Sequence, residues 1–184
     1  MARYTILGFD PASTRNIGWS VIELNKKPSK TAKIRNWYGG TFVVRQLEER
    51  WQVLWPMFLL LDAFISEKQP DLVILEKTNQ FAQKKGGFVT GQVSHCMGVM
   101  YAVCGKHDIP IDFAFPTSVK KVIAGHGRAK KKAVKQSVTK MLEDNGIQDI
   151  EFDSEHMADA TATILYVLIK MGVIPPLSEE NNGK

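Results

Sequence analysis

The chain has 184 residues, of which 44% are hydrophobic and 23% charged, a composition that suits one soluble globular domain with a sizeable core. Its 24 basic residues exceed its 19 acidic ones. The resulting net charge of +5 favours a polyanionic partner such as nucleic acid, although a solvated basic surface explains the charge equally well. No apolar run reaches the roughly 20 residues of a membrane span, and the chain enters a strand pattern without a targeting signal. We therefore expect a cytoplasmic protein with no membrane partner.

The first part of the chain predicts three strands followed by a helix. Apolar runs separated by turn-forming residues predict strands over 4–9, 17–24 and 33–45, the third broken at residues 39–40. Apolar residues between 47 and 65 recur at spacings of three and four, which predicts one buried helical face. Pro56 lies inside this pattern and is expected to kink the helix.

The second part alternates short buried strands with helices. Strands are predicted over 72–75 and 109–113, and helices over 88–106, 130–143 and 155–171. Asp153 or Ser154 can cap the last helix. This order predicts an α/β fold with a mixed five-stranded sheet and helices on both faces. We expect one domain over 1–174 and a flexible polar tail over 175–184.

The two cysteines do not suggest a disulfide. Cys96 and Cys104 lie in one predicted helix, eight residues apart, and so are separated by roughly 12 Å along its axis. That separation is too large for a disulfide, and the spacing is not that of a metal-binding pair. We expect reduced thiols in the core.

Acidic side chains end two of the predicted strands. Asp10 follows "YTILGF" and Glu76 follows "LVIL". Ligands of α/β sheets lie at the carboxyl ends of strands, so these carboxylates would lie side by side on parallel neighbours. His156 and Asp159 are three residues apart on the last helix and share one face. Each residue alone is explained by a turn, a cap or a solvated surface, but together they predict one site.

A cluster of this composition is typical of a metal centre. Crowded carboxylates raise one another's pKa unless a cation is bound. Oxygen ligands with a single imidazole suit Mg²⁺ or Mn²⁺ better than zinc. Two such ions form a common device for phosphodiester cleavage, one activating water and the other stabilising the leaving 3′ oxygen. The candidate metal ligands and catalytic residues are Asp10, Glu76, His156 and Asp159.

Five segments of the chain follow one another in a recognisable order: "ILGFDPASTRNIGWSVI", "QPDLVILE", "TGQVSHCMGV", "PTSVKKVIAGHGRAKKKAV" and "HMADATATIL". Together they resemble the RuvC-type Holliday-junction resolvases of the ribonuclease H-like superfamily. The resemblance spans most of the chain and implies a ribonuclease H-like fold. It also implies metal binding by Asp10, Glu76 and Asp159, with His156 at a variable fourth position. The residues that it implies for phosphate binding and catalysis are Lys120 and Lys131.

The same resemblance implies an activity. We expect an endonuclease, with two Mg²⁺ or Mn²⁺ ions per site, that resolves four-way DNA junctions by paired nicks leaving 5′-phosphate and 3′-hydroxyl ends. It implies a homodimer packed through the helix at 88–106, no nucleotide cofactor, and a bacterial cell or phage-infected host.

Two positions depart from the family pattern. Ala12 stands where the family has a turn glycine, and Asn79 stands where some members have an aromatic wedge. Phe81 is a candidate displaced wedge, with a core role as the alternative.

Basic residues predict contacts to DNA phosphates. Lysine at a helix start opposes the helix dipole, so the basic run at 130–135 favours phosphate binding over a solvated face. Lys131 is also a candidate catalytic residue. The candidate DNA-binding residues are Lys77, Phe81, Lys84, Lys85, Lys120, Lys121, Arg128, Lys130, Lys131, Lys132 and Lys135.

Other functions remain open. A nuclease of the same fold could act on replication forks, other branched DNA or RNA–DNA hybrids. A non-catalytic junction-binding module is a third alternative, against which the intact acid set argues. An actin-like ATPase is disfavoured, because "DPASTRNIG" has no second phosphate loop to accompany it.

Overall fold

The structure is a computed structural model that describes residues 3–11, 16–44, 50–77 and 87–177. Its strands are β1 (Tyr4–Asp10), β2 (Asn16–Leu24), β3 (Ile34–Val43), β4 (Leu72–Glu76) and β5 (Ile111–Ala114). Its helices are α1 (Leu54–Lys68), α2 (Gly87–Lys106), α3 (Pro116–Ala124), α4 (Lys131–Asp144) and α5 (Glu155–Lys170).

The strands form one five-stranded sheet in the order β3-β2-β1-β4-β5. The hairpin strands β1, β2 and β3 pair antiparallel, whereas β4 pairs parallel with both β1 and β5. The predicted mixed sheet of an α/β fold is therefore confirmed.

Each face of the sheet carries its own hydrophobic core, because successive side chains of a strand point to opposite faces. Ile6, Ile22 and Ile74 pack with residues of α3, α4 and α5. Leu7 and Val73 pack on the other face, with residues of α1 and α2. Helices on both faces are thus confirmed, and burial of these two layers stabilises the fold.

Helix α5 lies close against the centre of the sheet. A Cβ atom at Gly8 of β1 would lie 2.7 Å from the carbonyl oxygen of Ala160 in α5, so a larger residue would force the helix away. The N-cap of α5 is Ser154, whose Oγ accepts a hydrogen bond from the Met157 amide at 3.0 Å. This confirms one of the two predicted caps.

One local expectation was wrong, and two helical segments were not predicted. The third strand is not broken at residues 39–40, since Gly39 and Gly40 pair with β2. A 3₁₀ helix, Arg50–Val53, precedes α1 and places Pro56 in the first turn. There its missing N–H removes no intrahelical hydrogen bond, and the kink expected at Pro56 stays a prediction. The basic stretch after β5 begins with α3, a helix that was not predicted.

Both cysteines are buried, free thiols on α2, as expected. Burial raises the pKa of Cys96 to about 12 and that of Cys104 to about 11, so both remain protonated. None of the helices in the described part of the chain has the length and hydrophobicity needed to cross a membrane. Leu177 still packs against the core, and the division into a 1–174 domain and a 175–184 tail stays a prediction.

Candidate active site

The site begins with a row of residues that crosses the sheet at one level. Gly18 of β2 pairs with Asp10 of β1 on one side and with Thr41 of β3 on the other. Asp10 ends β1, and Glu76 ends its parallel neighbour β4. The two carboxylates therefore emerge at the same edge of the sheet, as the strand pattern predicted.

The first turn of α5 lies directly on this row. A Cβ atom at Gly18 would lie only 2.2 Å from the carbonyl carbon and oxygen of His156, so the glycine is what permits this approach. His156 Nδ1 lies 2.9 Å from Asp10 Oδ2, and the Asp10 residue is only 8% exposed. Asp159 follows on the same face of α5 and lines the same cleft.

Thr41 anchors the start of α5 from the far side of β2. Its hydroxyl donates to Asp153 Oδ1 at 2.9 Å and shares a hydrogen bond with the N-cap hydroxyl of Ser154 at 2.5 Å. Thr41 therefore holds the turn that carries His156. Sequence reasoning missed this residue, because nothing local to a strand threonine indicates a partner that lies more than one hundred positions later.

A cleft of about 240 Å³ opens above the row. It brings together six of the predicted site residues, and Pro116, Val119 and Val134 complete its lining. The six are Asp10, Glu76, Lys120, Lys131, His156 and Asp159. Lys120 comes from α3 and Lys131 from the first residue of α4.

Lys131 is held between two carboxylates. Its Nζ lies 2.8 Å from Glu155 Oε2 and 3.9 Å from Asp159 Oδ2. The hydrogen bond to Glu155 raises the pKa of Lys131, which therefore stays charged at neutral pH. Sequence reasoning did not predict Glu155, although it immediately precedes His156. Glu155 lies in the first turn of α5, where a negative charge is favourable, and this position is the signal from which it could have been predicted.

Glu76 and Asp159, which are half-buried in the cleft, hold protons more tightly than ordinary carboxyl groups do. Burial, followed by the negative charges of Asp10 and Asp159, raises the pKa of Glu76 to about 8, and Lys120 and Lys131 oppose this only in part. Burial, followed by the charge of Asp10, raises the pKa of Asp159 to about 6. Without a further cation, the cleft is therefore partly protonated at neutral pH.

The pKa of the histidine is also raised, but for an imidazole a higher pKa favours the charged form. Its hydrogen bond to Asp10, more than any other influence, raises the pKa of His156 and favours the imidazolium form. The protonated ring then offsets one carboxylate charge in the cleft. A metal ion at this position would compete with that proton for the imidazole.

The chemistry of the donor set fits a divalent cation. Three crowded carboxylates, two of them with raised pKa values, are the groups from which a cation would displace protons. The donor chemistry is suitable, but the side chains are not already arranged around an ion. Across the described ranges, no group of three or more His, Cys, Asp or Glu side chains is placed to hold a metal ion. His156 and Asp10 instead form a pair with each other.

The other predicted DNA-binding residues divide into two groups. The structure describes six of them, and all six are exposed. Lys77 follows β4, Lys121 lies on α3, Arg128 and Lys130 precede α4, and Lys132 and Lys135 lie on α4. Phe81, Lys84 and Lys85 lie outside the described residues, as do Ala12 and Asn79. Lys130 is the N-cap of α4 and makes no side-chain capping bond, so its side chain does not serve the helix.

A mixed sheet of this order, with carboxylates ending two neighbouring parallel strands and a further acid on the last helix, is the architecture of the ribonuclease H-like class. Residues 6–166 match the family model of the crossover junction endodeoxyribonuclease RuvC. The chain belongs to the RuvC family.

Two relatives agree with this membership, and a solved structure shares the fold. A RuvC crossover junction endodeoxyribonuclease of Paenarthrobacter aurescens is 33% identical over 74% of this chain and 68% of its own. The Desulfitobacterium hafniense protein of that name is 31% identical over 85% and 87% of the two chains. The Thermus thermophilus RuvC structure in complex with Holliday junction substrate superposes with a TM-score of 0.71 at 20% identity, covering 95% of this chain and 99% of that one.

Proposed function

We propose that this protein is a metal-dependent endonuclease that resolves four-way DNA junctions by paired nicks with 5′-phosphate and 3′-hydroxyl ends. One observation carries the proposal: in a chain of the RuvC family, Asp10, Glu76 and Asp159 share one cleft with Lys120 and Lys131. Carboxylates bind cations and lysines bind phosphate, so the cleft offers both halves of a phosphodiester-cleaving site.

Each side chain has a distinct task in this proposal. Asp10, Glu76 and Asp159, with His156 as the fourth donor, would hold Mg²⁺ or Mn²⁺, two ions per site. When bound, the cations supply charge stabilisation on the phosphate and a nucleophile from water. Lys120 and Lys131 reach the cleft from two different helices and offset the charge that develops on the phosphate.

The basic residues outside the cleft extend the contact to the DNA backbone. Each phosphate contact is expected to contribute about −0.9 to the slope of log affinity against log salt. Such contacts position the duplex without reading its sequence. Selectivity for junctions then rests on the arrangement of two such surfaces in a dimer.

The proposal is tested with a labelled four-way junction, a linear duplex, a three-way fork and an RNA–DNA hybrid. We expect Mg²⁺-dependent cleavage of the junction, none in EDTA, and nicks that DNA ligase reseals. Asp10→Asn removes a charge from the centre of the cleft and is expected to lower the rate at least about a thousandfold. Unchanged cleavage by this variant would overturn the proposal, and faster cleavage of hybrid or fork would favour the broader nuclease.

We further propose that a second copy of the chain packs against α1 and α2. An apolar groove between these helices is lined by Leu54, Trp55, Phe58, Ser94, His95, Gly98, Val99 and Ala102. Trp55 is 64% exposed and stacks on Phe58 with ring centroids 5.5 Å apart. Exposed aromatic surface of this kind is typical of a contact between proteins.

The dimer makes a direct prediction for Val99→Glu. A carboxylate buried without a partner in an apolar interface costs several kcal/mol, so the dissociation constant should rise about a hundredfold or more. Sedimentation equilibrium measures it. Gln136→Glu adds the same charge on an exposed face of α4 and should leave the dimer intact. If both variants dissociate to the same extent, or if neither dissociates, this groove is not the interface.

A further inference from the structure

We infer that Phe115 and Lys77 form a nucleotide-binding subsite beside the active site, where Phe115 stacks on an unpaired DNA base and Lys77 binds an adjacent phosphate. The inference rests on the proposed function, since it takes the DNA to lie across the cleft. It concerns a part of the molecule that neither the carboxylates nor the lysines of the cleft explain.

The position of Phe115 is set by the strand and helix on either side of it. Ala114, the last residue of β5, pairs with Glu76 of β4. Phe115 itself is the N-cap of α3, with an extended backbone, and the next residue, Pro116, lines the cleft. The aromatic ring is therefore attached at the rim of the cleft, between the strand that aligns Glu76 and the helix that carries Lys120.

The ring of Phe115 is more exposed than that of the other phenylalanine on this edge of the sheet. Phe115 is 48% exposed, whereas Phe113, two residues earlier, is half-buried and packs edge-on against Tyr101 with centroids 6.1 Å apart. As an N-cap, phenylalanine offers no side-chain acceptor to the helix, so capping does not account for the exposure.

Lys77 supplies a positive charge over the ring. Its Nζ lies 5.3 Å from the centroid of Phe115 and 5.5 Å from that of Phe113. Its backbone N–H donates to the Ala114 carbonyl at 2.8 Å, which fixes the lysine on this edge of the sheet. Among the residues that the structure describes, Lys77 forms no ion pair with a carboxylate, and its ammonium lies over the two aromatic rings instead.

An ammonium beside an exposed aromatic ring matches the two halves of a nucleotide. Stacking of a base on an aromatic side chain is favourable and tolerates any base, because every base has a π-face. A phosphate binds the adjacent ammonium without sequence preference. The subsite would therefore hold a base unstacked at the branch point of the junction and would place the backbone next to it over the carboxylates.

The experiment is a coupling measurement between Phe115 and individual bases. Four-way junctions carry one abasic residue at each position around the branch point in turn, and their affinities are measured by fluorescence anisotropy in EDTA. For the wild-type protein, one position should weaken binding by about 5- to 100-fold when its base is removed. Phe115→Leu should bind the intact junction as weakly as the wild-type protein binds that abasic junction. Removing the base should not weaken the binding of Phe115→Leu any further.

Two further variants separate stacking from structure. Phe115→Trp keeps a π-face and should retain the affinity and the coupling, whereas leucine keeps only apolar bulk. Lys77→Gln should weaken all junctions alike and lower the salt slope by about 0.9 while leaving the abasic coupling in place. Absence of any coupled position, or wild-type affinity of Phe115→Leu, overturns the inference.

The outcome is distinct from that of the proposed function. Mg²⁺-dependent cleavage with no coupled base would leave the nuclease in place and remove the subsite. Coupling without any cleavage in Mg²⁺ would support the subsite and remove the nuclease. Far-UV circular dichroism of Phe115→Leu should match the wild type, because the side chain lies at the surface.

Discussion

Replacing Gly18 with alanine is expected to abolish most junction cleavage and to destabilise the fold. The new Cβ would lie 2.2 Å from the carbonyl carbon and oxygen of His156, well inside van der Waals contact. β2 is paired on both sides and cannot retreat, so the first turn of α5 must lift. His156 and Asp159 then separate from Asp10 and Glu76.

The expected size of both effects follows from this displacement. Overpacking of a well-filled contact costs about 1–3 kcal/mol, and each kcal/mol lowers the melting temperature by about 2–4 °C at this chain length. A misplacement of about 1 Å lowers the rate by about a hundredfold. Thermal unfolding in EDTA and junction cleavage at saturating DNA measure the two effects.

Gly105→Ala is the matched control for Gly18→Ala. No atom lies within 4 Å of a Cβ built at Gly105, near the end of α2. Alanine is favoured over glycine in a helix by about 0.5–1 kcal/mol, so this variant should be slightly stabilised and fully active. Wild-type cleavage by Gly18→Ala would show that α5 is not held over the site by this contact.

Replacing Glu76 with glutamine should have opposite effects on activity and on stability. Loss of a carboxylate from the cleft is expected to lower Mg²⁺-dependent cleavage by more than about a hundredfold. In EDTA, however, the variant should be more stable than the wild type, because it does not have to bury a charge. We expect a gain of about 1 kcal/mol or more above pH 8, which corresponds to about 2–4 °C per kcal/mol.

The sign of the stability effect follows from proton linkage. The folded pKa of Glu76 is raised from 4.5 to about 8, so the folded state holds a proton that the unfolded state releases. The metal-free wild type therefore loses stability as the pH rises from about 4.5 to about 8, and glutamine removes that loss. The two proteins should have similar melting temperatures near pH 5 and should diverge up to pH 8.

Glu155→Gln tests whether the stability gained by Glu76→Gln arises from the burial of the Glu76 carboxyl group. Lys131 lowers the pKa of this exposed carboxylate through a hydrogen bond, so its charge favours the folded state at neutral pH. The substitution should not raise the melting temperature at any pH.

Saturating Mg²⁺ should stabilise the wild type more at pH 8 than at pH 6. It should stabilise Glu76→Gln far less than it stabilises the wild type. A pH-independent difference between Glu76→Gln and wild type would contradict this account.

The strand-end carboxylates could be predicted from the sequence because the signal for each is local. An apolar run that stops at an acid identifies both Asp10 and Glu76, and a three-residue helical spacing links His156 with Asp159. The fold class followed in the same way, from the order of apolar periodicities. The match of residues 6–166 to the RuvC family model confirms the family that the ordered motifs resembled.

The helix after β5 was missed for a physical reason. "PTSVKKVIAG" begins with a proline, ends at a glycine and carries paired lysines, which is also the composition of a basic loop. Val119 and Ile123 make it a helix because they are buried against the core beneath α5, a contact that its own residues do not reveal. This helix, rather than a loop, directs Lys120 into the cleft.

By itself, the sequence determined which chemical groups this protein has, on which elements they lie and at which ends, because periodicity and turn chemistry are local. Only the tertiary structure decided which groups meet. Gly18 beneath His156, Thr41 on the cap of α5, Glu155 on Lys131 and Lys77 beside Phe115 all join separate elements of the chain. Such contacts depend on the packing of α5 and α3 against the sheet, and that packing arises from two complete hydrophobic cores rather than from any one segment.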